Sequence, residues 1–372
     1  MTRQQTLWGA ATAVALVVAA AGPAAAAPAT ATGATQWRSV LNSPSMRFFG
    51  RLAGVDRDSA WAFGGTTVAD STVTPTAFRW ERGRWQRVAF PAPKGGTVNG
   101  AAVASAGDVW AGTGGSPASP ALVMRWNGGR WSVAKRLPKS AFVTDIEAAG
   151  PRDVWTFTGS PGPGPGPGSS SVAWHHTSRG WSKATLPIEV LQASARSPRD
   201  IWAIGFAGAG AFSQHPALAH YNGKTWRTVP LPRLPRPREQ HGLTGITANA
   251  QGVWITDSVD GTSRPILDSV LLRLDPKGRW HTEQLWSKVG RWGEGVAPVA
   301  DGKGGLWFLG STDVNGEDSA LVHRSATGSW TRGRIKPVAE LRSLARLPGT
   351  TRLFATGYQA GHGVVLSYQP PK

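Results

Sequence analysis

One segment of this 372-residue chain carries side chains of the kind that contact sugars. Residues 285–295 contain Trp286 and Trp292, which lie outside the register of the other tryptophans, together with Arg291 and Glu294. An indole ring offers an apolar face for stacking and a polar edge, and the neighbouring charges add polar contacts. The segment predicts a sugar-binding site, and the alternative is that both tryptophans fill the end of a channel at the centre of the fold.

A second segment, residues 230–241, combines stiffness with positive charge. Its sequence, PLPRLPRPREQH, contains four prolines, which favour an extended backbone, and a proline directly precedes each of Arg233, Arg236 and Arg238. Guanidinium groups bind carboxylates and phosphates through paired hydrogen bonds. We therefore predict that these arginines contact the acidic groups of a ligand, and the alternative is a rigid surface connection without a ligand.

Acidic residues in the same segments leave an enzymatic function open. Cleavage of a glycosidic bond commonly uses two carboxyl groups, and for such an enzyme we would assign catalysis to Glu239 and Glu294 with His241. No spacing selects a carboxylate pair, however. The sequence also contains no helical metal-binding motif, phosphate-binding loop or nucleophile elbow.

The elements that must position these residues are internal repeats. Each copy is predicted to form four short strands, a to d, and the second strand carries an aromatic residue in one register. These aromatic residues are Trp61, Trp110, Trp155, Trp202, Trp254, Trp307 and Phe354. Repeats of 45 to 53 residues with four apolar strands predict an all-β fold, a β-propeller with seven four-stranded blades. An open β-solenoid is the alternative.

The repeats also predict how the ring closes. Strand d begins with a tryptophan in only six copies, at positions 85, 131, 181, 226, 280 and 330. The missing copy is found at the front of the chain, because residues 37–40 (WRSV) match residues 85–88 (WQRV). The N-terminal strand is therefore expected to complete the last blade by pairing with residues 364–368. Residues 37–372 would then form one monomeric domain.

The repeats resemble the kelch family of propellers. Residues 61–65 (WAFGG) have the Gly-Gly pair that ends strand b in kelch repeats, Trp80 is the strand-c aromatic residue, and Trp85 opens strand d. The later repeats are degenerate. The resemblance implies a secreted bacterial propeller similar to the central domain of galactose oxidase. The copper site of that enzyme requires a cysteine, and this chain has none.

Recurring polar residues are interpreted as structural. His175, His220 and His323 share the register of Arg79 and Arg125 on strand c, and sevenfold geometry would hold the histidines too far apart to share a metal ion. We therefore expect neither a metal site nor a cofactor. His176 should face the opposite side of its strand. Aspartates two positions before the strand-b tryptophan are predicted to cap the a–b turn through their own backbone: Asp108, Asp153 and Asp200.

Charge and the first residues suggest where the protein acts. The chain has 40 Lys and Arg against 22 Asp and Glu, a formal net charge of +18, which favours an anionic polysaccharide or cell-wall polymer as partner. A solvated basic surface is the alternative, and no basic run suggests nucleic acid. Residues 1–26 are predicted to be a signal peptide, whose apolar stretch is too short to span a membrane. Residues 27–36 would be a disordered leader.

These patterns favour a secreted, extracellular, non-catalytic binding protein for extracellular or cell-wall glycans or other anionic polymers. Two alternatives remain open. The first is a carbohydrate-active enzyme, a hydrolase or a lyase, and the second is a scaffold for protein interactions.

Overall fold

The computed structural model describes residues 37–67, 73–114, 120–138, 141–159, 172–208, 215–234, 240–260, 269–289, 296–311, 319–335 and 340–369. These ranges form seven antiparallel sheets of four strands each. The first strand of every sheet contacts the first strand of the next, and the seventh contacts the first, so the sheets form a ring. The predicted seven-bladed β-propeller is confirmed. The predicted signal peptide and leader lie outside the described residues.

The strands of each blade are described from the axis outwards. The inner strands, a, are β2 (Phe48–Gly54), β6 (Val98–Ser105), β10 (Phe142–Gly150), β14 (Glu189–Ser197), β18 (Gln240–Asn249), β22 (Val299–Ala300) and β26 (Glu340–Arg346). The b strands are β3 (Ser59–Thr67), β7 (Asp108–Thr113), β11 (Asp153–Gly159), β15 (Asp200–Ala207), β19 (Gly252–Asp260), β23 (Leu306–Ser311) and β27 (Leu353–Gln359).

The two outer strands complete each blade. The c strands are β4 (Val73–Glu81), β8 (Leu122–Trp126), β12 (Val172–Thr177), β16 (His215–Tyr221), β20 (Val270–Leu274), β24 (Ser319–Arg324) and β28 (His362–Tyr368). The d strands are β5 (Arg84–Val88), β9 (Trp131–Arg136), β13 (Gly180–Thr185), β17 (Trp226–Val229), β21 (Trp280–Gln284), β25 (Trp330–Arg334) and β1 (Trp37–Ser43). One helical turn, α1 (Trp286–Val289), follows β21, and no described helix could span a membrane.

The seventh blade contains both ends of the described chain. Its strand order is β1-β28-β27-β26, with Trp37 opposite Tyr368 and Ser43 opposite Gly363. The Trp37 side chain is buried, and its ring stacks on Tyr368 with 5.1 Å between the ring centroids. The N-terminal strand therefore completes the last blade, as the repeat pattern predicts.

The recurring tryptophans join neighbouring blades. Trp61 on strand b is fully buried, and Trp131 on strand d of the next blade meets it edge to face at 5.0 Å. The same contact joins Trp155 to Trp226 at 5.7 Å. Aromatic rings at these distances and angles attract beyond the area they bury. The strict register of tryptophan thus has a packing cause, because each blade needs the same two rings to seal against its neighbour.

Candidate functional site

A β-bulge recurs in the inner strands and sets what faces the axis. The pairing of strands a and b shifts register at equivalent places in six blades, for example between Phe49 and Arg51 and between Val143 and Asp145. A bulge re-aims the residues that follow it. In the sixth blade the inner strand is only two residues long, and it begins directly after Pro298, which has no backbone N–H for pairing.

All seven inner strands contribute to a cavity of about 220 Å³ at the axis of the ring. One side of this axial cavity carries two carboxylates from β10, and apolar side chains of the fifth to seventh blades line other parts. Its polar residues are Arg51, Asp145, Glu147, Gln192, Ser194, Thr247, Arg342 and Ser343. These polar residues stand out because the inner strands are otherwise rich in alanine and glycine.

Polar side chains on the inner strands also connect the blades. The Asp145 Oδ2 atom accepts a hydrogen bond from the Ala193 N–H of the next blade at 2.9 Å, and Ser343 Oγ accepts one from Leu52 N–H at 3.1 Å. Equivalent bonds cross every one of the seven junctions; the others join Arg51 to Asn99, Asn99 to Val143, Gln192 to Ile246, Thr247 to Pro298, and Arg346 to Ala300. The axial residues therefore have a structural role, and any ligand would use their remaining atoms.

Burial perturbs the charged groups of the cavity. It raises the pKa of Asp145 to about 6, although backbone hydrogen bonds and the charge of Arg51 act in the opposite direction. Burial and the charge of Asp145 together raise the pKa of Glu147 well above its usual value. Burial also lowers the pKa of Arg51, and Asp145 partly offsets this shift. Such shifts mark charges that lack full compensation within the protein.

The histidines of strand c belong to a repeated structural unit. His175 stacks on Trp155 with 3.9 Å between the centroids, and its Nε2 lies 2.9 Å from Asp153 Oδ1. The same unit recurs with His220 and with His323, and Arg125 replaces the histidine in the second blade. The partners are Asp200 and Trp202, Asp301 and Trp307, and Asp108 and Trp110. The three histidines therefore have a structural role within their blades, as their shared register predicts.

The aspartates of these units do not act as the sequence predicts. Asp153 Oδ1 accepts from the Trp155 Nε1–H at 3.0 Å, and Asp200 Oδ1 accepts from the Trp202 Nε1–H at 2.7 Å. Asp108 instead binds Arg125 through both of its oxygens. These three carboxylates therefore orient side chains of strands b and c rather than capping the turn through their own backbone. Asp301 of the sixth blade differs, because it also accepts hydrogen bonds from the turn N–H groups of Lys303 and Gly305. Within the described residues, no group of three or more His, Asp or Glu is arranged to hold a metal ion.

His176 faces the other side of β12, as the alternation of a strand predicts. Its ring lies 4.9 Å from Trp110 of the preceding blade and 4.9 Å from Trp181. Burial lowers the pKa of His176. The two adjacent histidines therefore serve two different interfaces.

The a–b and c–d turns form one end of the ring, which we call the turn face. Every residue of these turns is described, and each of blades one to six presents at least one exposed basic side chain there. These are Arg57, Arg82, Arg130, Arg152, Arg179, Arg199, Lys224, Lys277 and Lys303. Of these residues only Arg57 has an acidic partner within the described chain, Asp58 at 3.8 Å. A further exposed turn residue, Arg279, pairs with Asp275 at 3.0 Å. Most other acids at this end, such as Asp200 and Asp301, are bound by strand-c side chains.

The loop residues predicted to bind a ligand are only partly described. Arg233 is exposed after β17, and Trp286 begins α1, whose Val289 is buried. The rest of the predicted set lies outside the described residues: Arg236, Arg238, Glu239, Arg291, Trp292 and Glu294.

His241, the third residue of the alternative catalytic set, is buried. Its Nδ1 atom lies 2.7 Å from Asp257 Oδ2, and burial raises the pKa of Asp257 to about 6. Asp257 occupies the third position after the strand-b tryptophan, where Gly64, Gly205 and Gly357 stand in other blades. An acid at a position that is usually glycine was a signal in the sequence, and sequence reasoning did not use it.

The sequence reasoning also missed Asp145 and Glu147. The strand-a residues paired with the strand-b tryptophans include Ala53, Ala102 and Glu147, and the position two residues earlier holds Arg51, Gly100 and Asp145. Alignment of the inner strands by these partners would have separated the charged copies from the small ones.

No protein family model and no curated protein sequence matches the chain. Among solved structures, it is similar to an oligogalacturonate lyase in complex with manganese, with a TM-score of 0.58 and 10% identity over 92% of this chain and 95% of that one. It is also similar to the β-propeller domain of the Trilobed protease from Pyrococcus furiosus, with a TM-score of 0.57 and 7% identity over 88% and 95% of the two chains.

A third similar structure is the β-propeller domain of Cps50 (Swd1) from Myceliophteria thermophila, with a TM-score of 0.53 and 10% identity over 90% and 100% of the two chains. The first two are named for different activities, a lyase and a protease, and all three share the propeller architecture. At such low identity the likeness concerns the fold alone, so membership of the kelch family stays a prediction. The comparisons show a β-propeller and leave its activity open.

Proposed function

We propose that this protein is a non-catalytic binding protein for anionic polymers, with extracellular and cell-wall glycans as the first candidates. The observation that carries the proposal is the turn face. Exposed Arg and Lys side chains recur there around six of the seven blades, and most neighbouring acids are already bound inside the blades. A repeated charge arranged around a ring suits a partner whose own charge repeats.

Separate surface charges bind weakly one at a time, because water and salt screen them. A polymer with a carboxylate or phosphate on each unit can engage several of them at once. Each further contact is then intramolecular, and the overall affinity exceeds that of any single contact. Arg side chains add paired hydrogen bonds to carboxylates and phosphates.

The opposite end of the ring, formed by the b–c and d–a loops and called the loop side, is a second part of the proposal. There Trp286 and Trp292 would stack on sugar rings. Acidic groups would be contacted by Arg233, Arg236, Arg238 and Arg291. Secretion, proposed from residues 1–26, would bring the protein to such polymers outside the cell.

Binding to immobilised polymers at two salt concentrations tests the proposal. The probes are polygalacturonate, a glycerol phosphate polymer and neutral dextran. We expect both anionic polymers to bind, more weakly at the higher salt concentration, and dextran not to bind. Simultaneous Arg130→Ser, Arg179→Ser and Lys224→Ser changes on the turn face should weaken this binding.

A matched variant separates a local site from overall charge. Arg38→Ser, Arg87→Ser and Arg227→Ser remove the same charge from exposed positions of the outer strands. If both triple variants bind equally, the turn face is not the site. A loss confined to Trp286→Ala with Trp292→Ala would move the site to the loop side. Released sugar would favour the hydrolase or lyase, and no binding to any polymer would favour the protein scaffold.

A further inference from the structure

The axial cavity contains opposite charges that are not paired with each other. Arg51 donates from Nε to the Asn99 carbonyl at 2.5 Å and from Nη1 to the Gly50 carbonyl at 3.3 Å. Asp145 accepts from the backbone N–H groups of Ile146 and Ala193, each at 2.9 Å. The backbone thus fixes both charges at the cavity wall. Within the described chain, no ion pair joins Arg51 to either carboxylate of β10.

The two carboxylates stand on the same side of their strand. Asp145 and Glu147 are two residues apart on β10, so their side chains leave the same face. From the described residues Glu147 accepts only one hydrogen bond, a long one of 3.4 Å from Ala195 N–H to Oε2. Its Oε1 atom is therefore left for another donor. The raised pKa values of both groups have the same cause, namely buried negative charge without a sufficient counter-charge.

The remaining walls suit a short aliphatic body. Ile246, Val296, Ala297, Val299 and Leu344 line the cavity from the fifth, sixth and seventh blades. The volume of about 220 Å³ corresponds to about seven water molecules at their share of liquid volume. Such a space matches the size of a small organic molecule. Arg342 also lines the cavity, and its side chain is exposed. The cavity therefore opens to solvent beside Arg342.

From this arrangement we infer that the axial cavity binds a small zwitterion, a molecule with an ammonium group and a carboxylate a few atoms apart, such as a free α-amino acid. The carboxylate of the ligand binds Arg51, and its ammonium group binds Asp145 and Glu147. This inference goes beyond the proposed function and does not depend on it, because it concerns a different surface and a different ligand.

Other ligand classes fit the cavity less well. A simple anion would meet the two carboxylates of β10, and a simple cation would meet Arg51 and Arg342. A divalent cation needs about six to eight oxygen ligands for calcium, or nearly ideal octahedral geometry for magnesium, and Arg51 would repel it. A neutral molecule would leave both charges desolvated without a counter-charge.

Calorimetric titration of the purified full chain tests the inference. The probes are glycine and L-alanine, with acetate and methylammonium as molecules that carry only one of the two charges. We expect both amino acids to bind with one site per chain. Each single-charge probe should bind at least about tenfold more weakly, since a charge-assisted hydrogen bond contributes about a factor of ten or more to affinity.

Three substitutions and one control place the ligand. Asp145→Asn keeps an oxygen for the Ala193 N–H, and it should lower the affinity for glycine about tenfold or more, as should Arg51→Gln. Glu147→Gln is the second acidic variant if Asp145→Asn fails to fold. Arg196→Gln is the control, because Arg196 also lies on an inner strand and donates to the next blade, at Asn249 O, yet does not line the cavity.

Any one of four results overturns the inference, and three of them concern the ligand and the cavity variants. These are the absence of glycine and L-alanine binding to the parent protein, equal affinity for the single-charge probes, and unchanged affinity in every folded cavity variant. A loss of affinity in Arg196→Gln as large as in the cavity variants would also overturn it. Polymer binding by the turn face is measured separately, so failure of either idea leaves the other standing.

Discussion

Replacing Trp37 by alanine should loosen the junction between the two ends of the chain. The Trp37 side chain is 6% exposed, stacks on Tyr368 and belongs to a buried cluster with Leu344 and Leu366. Removing a buried tryptophan typically costs about 3–5 kcal/mol of unfolding free energy. Its Nε1–H is buried and has no acceptor among the described residues, so the change also removes an unsatisfied donor. We therefore expect a loss near the lower limit, about 3 kcal/mol.

Equilibrium unfolding in urea, followed by circular dichroism, measures this loss. The matched control is Val40→Ala on the same strand, because Val40 is 41% exposed and lies at the bulge between Ser39 and Leu41. The control should change the unfolding free energy by no more than about 0.5 kcal/mol. Deletion of residues 27–41 should cost more than Trp37→Ala, since most of β1 is then lost. If Trp37→Ala unfolds like the parent, or the control loses as much, the closure of the ring does not depend on this contact.

Two further predictions concern the histidines and the axial carboxylates. Titration with zinc or copper in a calorimeter should reveal no stoichiometric site of micromolar affinity that depends on His220, because His220 is held between Trp202 and Asp200; a site abolished by His220→Ala would contradict the structural role. The pKa of Asp145 is raised from 3.8 to about 6 in the folded protein, so the native carboxyl holds its proton more tightly than the unfolded one. Its favourable contribution is complete below pH 4 and is lost as the pH rises to about 6, for a change of about 3 kcal/mol. Asp145→Asn cannot ionise, so we expect it to gain about that much relative to the parent between pH 4 and pH 7.5 in urea unfolding; a difference that does not change with pH would refute the assignment.

The repeat pattern was sufficient for the fold because packing imposes it. Each blade must present an aromatic residue on strand b to a strand-d ring of the next blade, so Trp61 and Trp131 recur as Trp155 and Trp226. The displaced copy at Trp37 then required the ends to meet in one blade. These features follow from local spacing, and local spacing can be read directly from a sequence.

The axial cavity could not be read in the same way. Asp145, Arg51 and Ser343 come from three different blades, and only the closed ring brings them to one cavity. The charged residues of the inner strands are far apart along the chain, as Arg51 and Asp145 are by two blades, and the bulge that re-aims their side chains has no simple sequence signature. The prediction that the aspartates cap the a–b turn was wrong for a related reason. Their partners His175 and His220 are about twenty residues away along the chain, across a hairpin whose register must be known first.

The paired aspartates also bear on the meaning of the net charge. If the basic residues were only a solvated surface, exposed acidic residues would be expected among them. These would weaken the positive electrostatic potential of the surface. Instead Asp153, Asp200 and Asp301 are held by histidines of strand c, and Asp275 is held by Arg279 and His281. The structural unit thus holds these carboxylates partly buried inside the blades, while the turns expose their Arg and Lys side chains. The repeat that stabilises each blade therefore leaves basic side chains as the more exposed charges of this end, and under the proposed function an anionic polymer would bind them with a strength that falls as salt rises.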